Sequence, residues 1–150
     1  MKRLANLKKR SGFTLVELLI VIIIIGILAG AMLLVAGSGT DSAEATKIIS
    51  DLRSLKSAAL LYYADHPTET TAPGLTDLEN YMDRKLDANL FDVDAGTASA
   101  DTWWVGRKEI TTGPAGKLAA RATAEDIGVY GAIEGTTFIA TDEEAWMRAR

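Results

Sequence analysis

The chain has 150 residues, no cysteine and a formal net charge of −4, which leaves room beside one membrane-length segment for a single soluble domain of about 80–110 residues. The charge is divided: Lys2, Arg3, Lys8, Lys9 and Arg10 precede any acid, while residues 13–150 hold 11 basic and 20 acidic residues, a net of −9. Such an acidic body repels phosphate backbones, so no nucleic acid is expected as a partner, and its core has to form without disulfides or with a metal.

Ser11-Gly12-Phe13-Thr14-Leu15-Val16-Glu17-Leu18 puts a small residue and then a carboxylate at the start of a long apolar run. Leu18 to Ala36 is 19 residues without a charge, about 28 Å as a helix, which matches the hydrocarbon thickness of a bilayer. The preceding basic cluster places residues 1–12 on the cytoplasmic side. A secretory signal would have a shorter apolar region, with its small-residue site after the run; here the small residue, Gly12, comes before it. Glu17 is out of place in an ordinary anchor, because an acid near mid-helix costs about 2.5–3.5 kcal/mol on insertion scales. Cutting after Gly12 would create a positive charge able to offset it. Gly26 and Gly30 form a GxxxG pattern that lets two membrane helices approach closely, although glycine is also common in such helices.

Gly37-Ser38-Gly39-Thr40 interrupts helix propensity, and Asp41 with Glu44 resembles a helix-starting cap. From Ala43 the chain is amphipathic: Ile48, Leu52, Leu55, Ala59 and Tyr62 recur at helical spacing, with Ile49, Leu60 and Tyr63 widening the face. Pro67 stops this helix. The front of the chain is therefore one long helix or two helices joined at a glycine-rich hinge. Residues 68–74 read as a polar loop. Thr76-Asp77-Leu78-Glu79 has capping-box spacing for a short helix burying Leu78, Tyr81 and Met82. Asp92 to Asp101 reads as loop, Lys117 to Glu125 as helix, and Trp103-Trp104-Val105, Thr136 to Ala140 and Ala145 to Arg148 as strands.

The basic leader, Gly12, the run Phe13-Thr14-Leu15-Val16-Glu17-Leu18 and the apolar helix together resemble a type IV prepilin, or the related pseudopilins of type II secretion systems. The match covers about residues 8–30. The resemblance implies an α+β fold, with a long N-terminal helix (membrane-spanning first half, amphipathic second half) packed on a small antiparallel sheet. The expected organisation is a leader at 1–12, a transmembrane and assembly helix at 13–36, the amphipathic half of the long helix at 37–66, and a small α+β domain at 67–150 with 41–66 as its helix. It also implies cleavage between Gly12 and Phe13 by a membrane prepilin peptidase and methyltransferase, N-methylation of Phe13, and assembly through Glu17, Gly26 and Gly30. The new amine of one subunit's Phe13 would meet Glu17 of a neighbour. Breaking such a buried pair costs about 3–5 kcal/mol, so it would act chiefly as a register device. Many major pilins carry a proline in the second half of the apolar helix; Leu34 stands at that position here.

The expected function is that of a filament-subunit precursor, held in the bacterial inner membrane with its leader in the cytoplasm and then built into a cell-surface pilus or periplasmic pseudopilus. Its partners would be like subunits, inner-membrane assembly machinery and lipid. The alternatives are a type II secretion pseudopilin and, from another class, a signal-anchored envelope domain that binds a ligand through its tryptophans or acidic loop. No enzyme is expected: His66, the one histidine, has neither cysteine nor second histidine to work with and suits a helix end. No cofactor is expected. Asp92 and Asp94 are calcium candidates only in outline, because Asp92-Val93-Asp94-Ala95-Gly96 lacks the third ligand and distal Glu of an EF-hand loop; some pseudopilins bind calcium in C-terminal loops. Trp103, Trp104 and Trp146 at strand positions suit core or interface better than an open platform.

Overall fold

The structure, a computed structural model, describes residues 12–97 and 101–150; for residues 34, 36 and 38 it describes the backbone alone. The expected leader thus lies outside the described residues except for Gly12, as does part of the loop expected at 92–101. The chain divides into two compact units, Met1–Gly37 and Ser38–Arg150. Helix α1 runs from Leu15 to Asp65. Gly37-Ser38-Gly39-Thr40 stays helical, so the structure has one long helix rather than a hinged pair. Helix propagation is cooperative, and two glycines with established helix on both sides do not require a new nucleation.

In the first unit, Leu15–Leu33 is long and apolar enough to cross a membrane, with a mean hydropathy of 2.9. Every described side chain from Phe13 to Leu33 is exposed within the single chain. A helix that is apolar on all sides needs cover from lipid or from other helices.

The second unit forms its own core. Ala45, Ile48, Ile49, Leu52, Leu55, Ala58 and Ala59 line the buried face of α1, against Phe91, Trp103, Val105, Leu118 and Met147. Leu60 does not widen this face as the spacing suggested; it is 44% exposed. One residue beyond Ala59 it is turned by about 100°, and the small pair Ala58 and Ala59 takes the buried positions instead. Tyr62 and Tyr63 are half-buried at the rim.

At the end of α1, the His66 N–H donates to the Tyr62 carbonyl at 2.9 Å. Its Nδ1 lies 3.1 Å from the same oxygen, and its ring stacks on Tyr62 at 4.4 Å. The single histidine therefore closes the helix. The Tyr62 hydroxyl donates to Glu69 and the Tyr81 hydroxyl to Asp65 at 2.7 Å, tying the end of α1 to the segments that follow.

Helix α2 spans Leu75–Glu79 with Gly74 as its N-cap, two residues before the proposed cap, Thr76. Asp77 rather than Glu79 accepts the capping N–H, from Gly74 at 3.0 Å. Glu79 instead accepts the Leu86 N–H at 2.8 Å in the next turn. Leu78 is fully buried, while Tyr81 and Met82 are half-buried beyond the helix.

The sheet is antiparallel, in the order β1-β2-β4-β3, formed by β1 Phe91–Ala95, β2 Trp103–Arg107, β3 Val129–Tyr130 and β4 Ala145–Arg148. Two expectations are corrected here. The segment expected as loop from Asp92 begins inside β1, because Phe91, Val93 and Ala95 alternate with Asp92 and Asp94 and bring an apolar face to the core. The strand expected at Thr136–Ala140 is reduced to one bridge, Thr137 with Tyr130. Phe138 is buried and donates its N–H to Val129, but Ile139 points outward, 56% exposed. The edge position falls to Val129–Tyr130, delivered by a reversal with Asp126 at φ 46° and Gly128 at φ 66°, values that suit glycine and, among other residues, Asn and Asp.

Helix α3 spans Thr112–Glu125, five residues longer at its start than the expected Lys117. Pro114 lies in its first turn, where a missing N–H costs nothing. A Cβ on Gly113 would come 2.6 Å from the Asp41 carboxylate, so glycine permits the close approach of α3 to α1.

Behind the sheet, Trp146 covers Gly106 so closely that a Cβ there would lie 2.7 Å from its ring. Gly106→Ala is expected to destabilise the protein by about 1–3 kcal/mol, read as a lower denaturation midpoint by tryptophan fluorescence of the detergent-solubilised chain. Tyr62 supplies a pH test. Its hydrogen bond to Glu69, then burial, push its pKa up from 10.0 to about 12. Folding favours the protonated phenol, so this contribution is complete below about pH 10 and is lost as pH rises toward about 12. Tyr62→Phe is expected to flatten the decline in stability across that window.

Candidate functional site

The start of α1 is built by two residues. Thr14 precedes the first helical residue, and Glu17 sits in the first turn. Glu17 Oε2 accepts both the Thr14 N–H at 2.8 Å and the Thr14 hydroxyl at 2.7 Å. In return the Glu17 N–H donates to Thr14 Oγ1 at 3.2 Å. This is a reciprocal capping box, which satisfies N–H groups that a helix start otherwise leaves open. The carboxylate also lies at the positive end of the helix dipole. Both Thr14 bonds fall on Oε2, and Oε1 accepts no hydrogen bond among the described residues. Glu17 is therefore held in place with one oxygen still free.

Thr14 is the residue that the reading of the motif left without a role. Its signal was present as Thr14-Leu15-Val16-Glu17, the threonine-to-glutamate spacing of a capping box, but the oddity of an acid in an apolar run drew attention to charge instead. Gly12 and Phe13 are both exposed just before the helix. Among the described residues, nothing beyond the adjacent residues and the helix's own nearby backbone lies within 4 Å of a Cβ built on Gly26 or Gly30. No contact among the described residues requires either glycine, and the two lie on one side of the helix, four residues apart.

The remaining candidates are distributed elsewhere. Asp92 and Asp94 lie on β1, where Lys108 pairs with Asp92. That hydrogen bond holds the Lys108 pKa above its usual value. Asp94 accepts the N–H of Ala95 at 2.7 Å. Among the described residues no three His, Asp or Glu side chains come together to hold an ion. Trp103 is wholly buried, with its Nε1 donating to the Thr70 carbonyl at 3.2 Å. Trp104 and Trp146 are also buried; Trp104 packs edge-on against Tyr130, and Trp146 donates to Glu144 at 3.2 Å. The tryptophans fill the domain and present no open platform.

Residues 7–33 match the prokaryotic N-terminal methylation motif. The type II secretion system core protein G of Escherichia coli strain K12 is 38% identical over 71 residues, 47% of this chain and 49% of that protein. The protein of the same name from Aeromonas hydrophila is 36% identical over 74 residues, 49% of this chain and 52% of that one. The chain thus spans about half the length of the curated relatives it matches. The structure of the major type IV pilin of Clostridium difficile superposes with a TM-score of 0.54 at 20% identity, covering 75% of this chain and 98% of that one. In its N-terminal motif and in its fold the chain is similar to type IV pilins, and over about half its length to type II secretion system core protein G. Its α+β architecture, a long N-terminal helix followed by a small antiparallel sheet, is the type IV pilin fold.

For this pilin-like chain the capping box yields a direct test. Thr14→Ala is expected to weaken the helix start by about 1 kcal/mol, raising amide exchange of residues 15–18 roughly fivefold in micelles. Unchanged exchange would show that the cap carries no weight.

Proposed function

We propose that this chain is the precursor of a filament subunit, cut between Gly12 and Phe13, N-methylated on Phe13 and assembled through its apolar helix. One observation carries the reading: a helix exposed and apolar on every side begins with a single fixed carboxylate. Residues 13–36 serve first as the membrane segment and then as the packed stem of the filament, while residues 37–150 form the exported body. Lipid and neighbouring apolar helices both cover the same side chains. The role is structural rather than catalytic, and the subunit waits in the bacterial inner membrane until assembly.

Glu17 gives assembly its register. Oε2 stays on Thr14, and Oε1 is the acceptor for the Phe13 amine of a neighbouring copy. An uncut chain has no such amine, so cleavage licenses assembly. Pairing buried charges adds little net stability, whereas a copy placed out of register leaves a charge unmatched in a low-dielectric setting. Gly26 and Gly30 provide the side on which helices of adjacent copies approach.

Two machines fit this subunit. The fold likeness to a major type IV pilin supports a surface pilus; the partial likeness to type II secretion core protein G supports a periplasmic pseudopilus. Deleting the gene separates them: loss of surface filaments marks the first, and a secretion defect with filaments intact marks the second. Intact mass spectrometry of the protein from its host is expected to show the loss of residues 1–12 and one added methyl on Phe13; an uncut chain would refute the reading. Glu17→Ala is expected to insert normally into the membrane and to fail at filament incorporation, measured by the ratio of sheared-filament to membrane-bound protein.

A further inference from the structure

Two surface hollows within Ser38–Arg150 carry opposite charge. The first, about 300 Å³, lies between α1 and α3 and is lined by Thr46, Ser50, Arg53, Ser54, Ser57 and Arg121, with Ile49 and Glu125. Glu125 is the one acid lining it and already engages Arg121 at 3.3 Å; Arg121 also donates to Thr46 Oγ1 at 2.7 Å. The Arg53 guanidinium has no hydrogen bond or ion pair among the described residues. Ser54 and Ser57 turn their hydroxyl protons back to carbonyls of their own helix, so the guanidinium of Arg53 is the charged donor this hollow leaves open. Leu60 and Leu61 continue the same exposed helix, 44% and 53% accessible.

The second hollow, about 510 Å³, sits where β2 leads into α3, lined by Glu109, Thr111, Thr141, Asp142 and Glu143 among others, with no basic residue. Asp142 is occupied by the Ile139 N–H at 2.8 Å. The exposed carboxylates of Glu109 and Glu143 have no partner among the described residues, and the exposed Ile139 stands close by in sequence.

We propose that these hollows are the two halves of one contact between copies of this chain, with Glu109 and Glu143 of one copy facing Arg53 and Arg121 of the next. The contact rests on the filament reading above and names a junction that reading leaves open. Residues 13–150 carry 11 basic and 20 acidic residues, so copies repel one another unless a local pairing of opposite charge directs them. The two patches differ, and a contact between unlike patches need not close on itself; it repeats along an open helical array. Exposed ion pairs contribute little individually. They set register and partner choice, while Leu60, Leu61 and Ile139 add apolar area at the margins.

The chain has no cysteine, so an introduced disulfide reports the contact directly. Full-length copies bearing Ser57→Cys and Thr141→Cys are co-expressed in the host, and sheared filaments are resolved without reductant. A disulfide-linked pair of one copy of each kind is expected. Its yield should fall about tenfold when Arg53→Glu and Arg121→Glu are added to the first copy, or Glu109→Arg and Glu143→Arg to the second, and recover when both reversals are combined. Recovery also shows that the variants fold. Filaments that form without the disulfide, a yield that neither reversal changes, or a combination that fails to recover would overturn this contact and leave the filament reading standing. Failure of the unaltered chain to self-associate at all would overturn both.

Discussion

A helix with no polar side has no stable place in water, and the first unit of this chain is built around that constraint. From Leu18 to Leu33 every residue is uncharged, and all of them are exposed within the single chain. Apolar burial is worth about 25 cal/mol per Å², so the segment is held by whatever covers it. Lipid tails and neighbouring helices are equivalent covers for leucine and isoleucine. The two polar groups at its start, Thr14 and Glu17, satisfy each other in part. Moving from one cover to another therefore leaves fewer unmet hydrogen bonds at that end.

The second unit has the opposite character. Its core is closed by side chains from α1, α2, α3 and all four strands, without a disulfide because the chain has no cysteine. Large aromatic groups do the work that cross-links perform in other small domains. Trp103 is enclosed by the α1 side of the sheet, with Tyr62, Tyr63 and the Arg150 guanidinium around it. Trp104 and Trp146 pack behind the sheet, where Gly106 leaves room for an indole ring. Stability of this unit thus rests on residues other than those through which the apolar helix is proposed to assemble.

The long helix, its stop before Pro67 and the last strand were legible because their signals are local: period, length and proline. The capping box of α2 was legible in kind but shifted, since Asp77 and Glu79 both sit at acceptable spacing and only the path of the chain from Gly74 selects between them. β1 was missed because two aspartates weigh against a strand, although Phe91, Val93 and Ala95 mark its period. Thr136–Ala140 has strong strand composition, yet Phe138 alone turns inward, and the turn after α3 gives the edge to Val129–Tyr130. At the motif, Glu17 was conspicuous by its charge, while Thr14 was inconspicuous because its contribution is a hydrogen bond to a neighbour. Contacts of that kind, and the opposing charge of the two hollows, depend on three-dimensional placement that a one-dimensional pattern does not hold.

Strands at a sheet margin offer unpaired backbone groups to any passing chain, a hazard that grows with crowding. Both margins here are blunted. β3 has only two residues, too short a template to seed further pairing. β1 alternates its apolar residues with Asp92 and Asp94, so a second β1 laid alongside would bring carboxylate against carboxylate. If the chain is stacked in a filament as proposed, copies can pack tightly without their sheets fusing edge to edge. Order in such an array would come from helices and side-chain charge, and the backbone would be kept out of it.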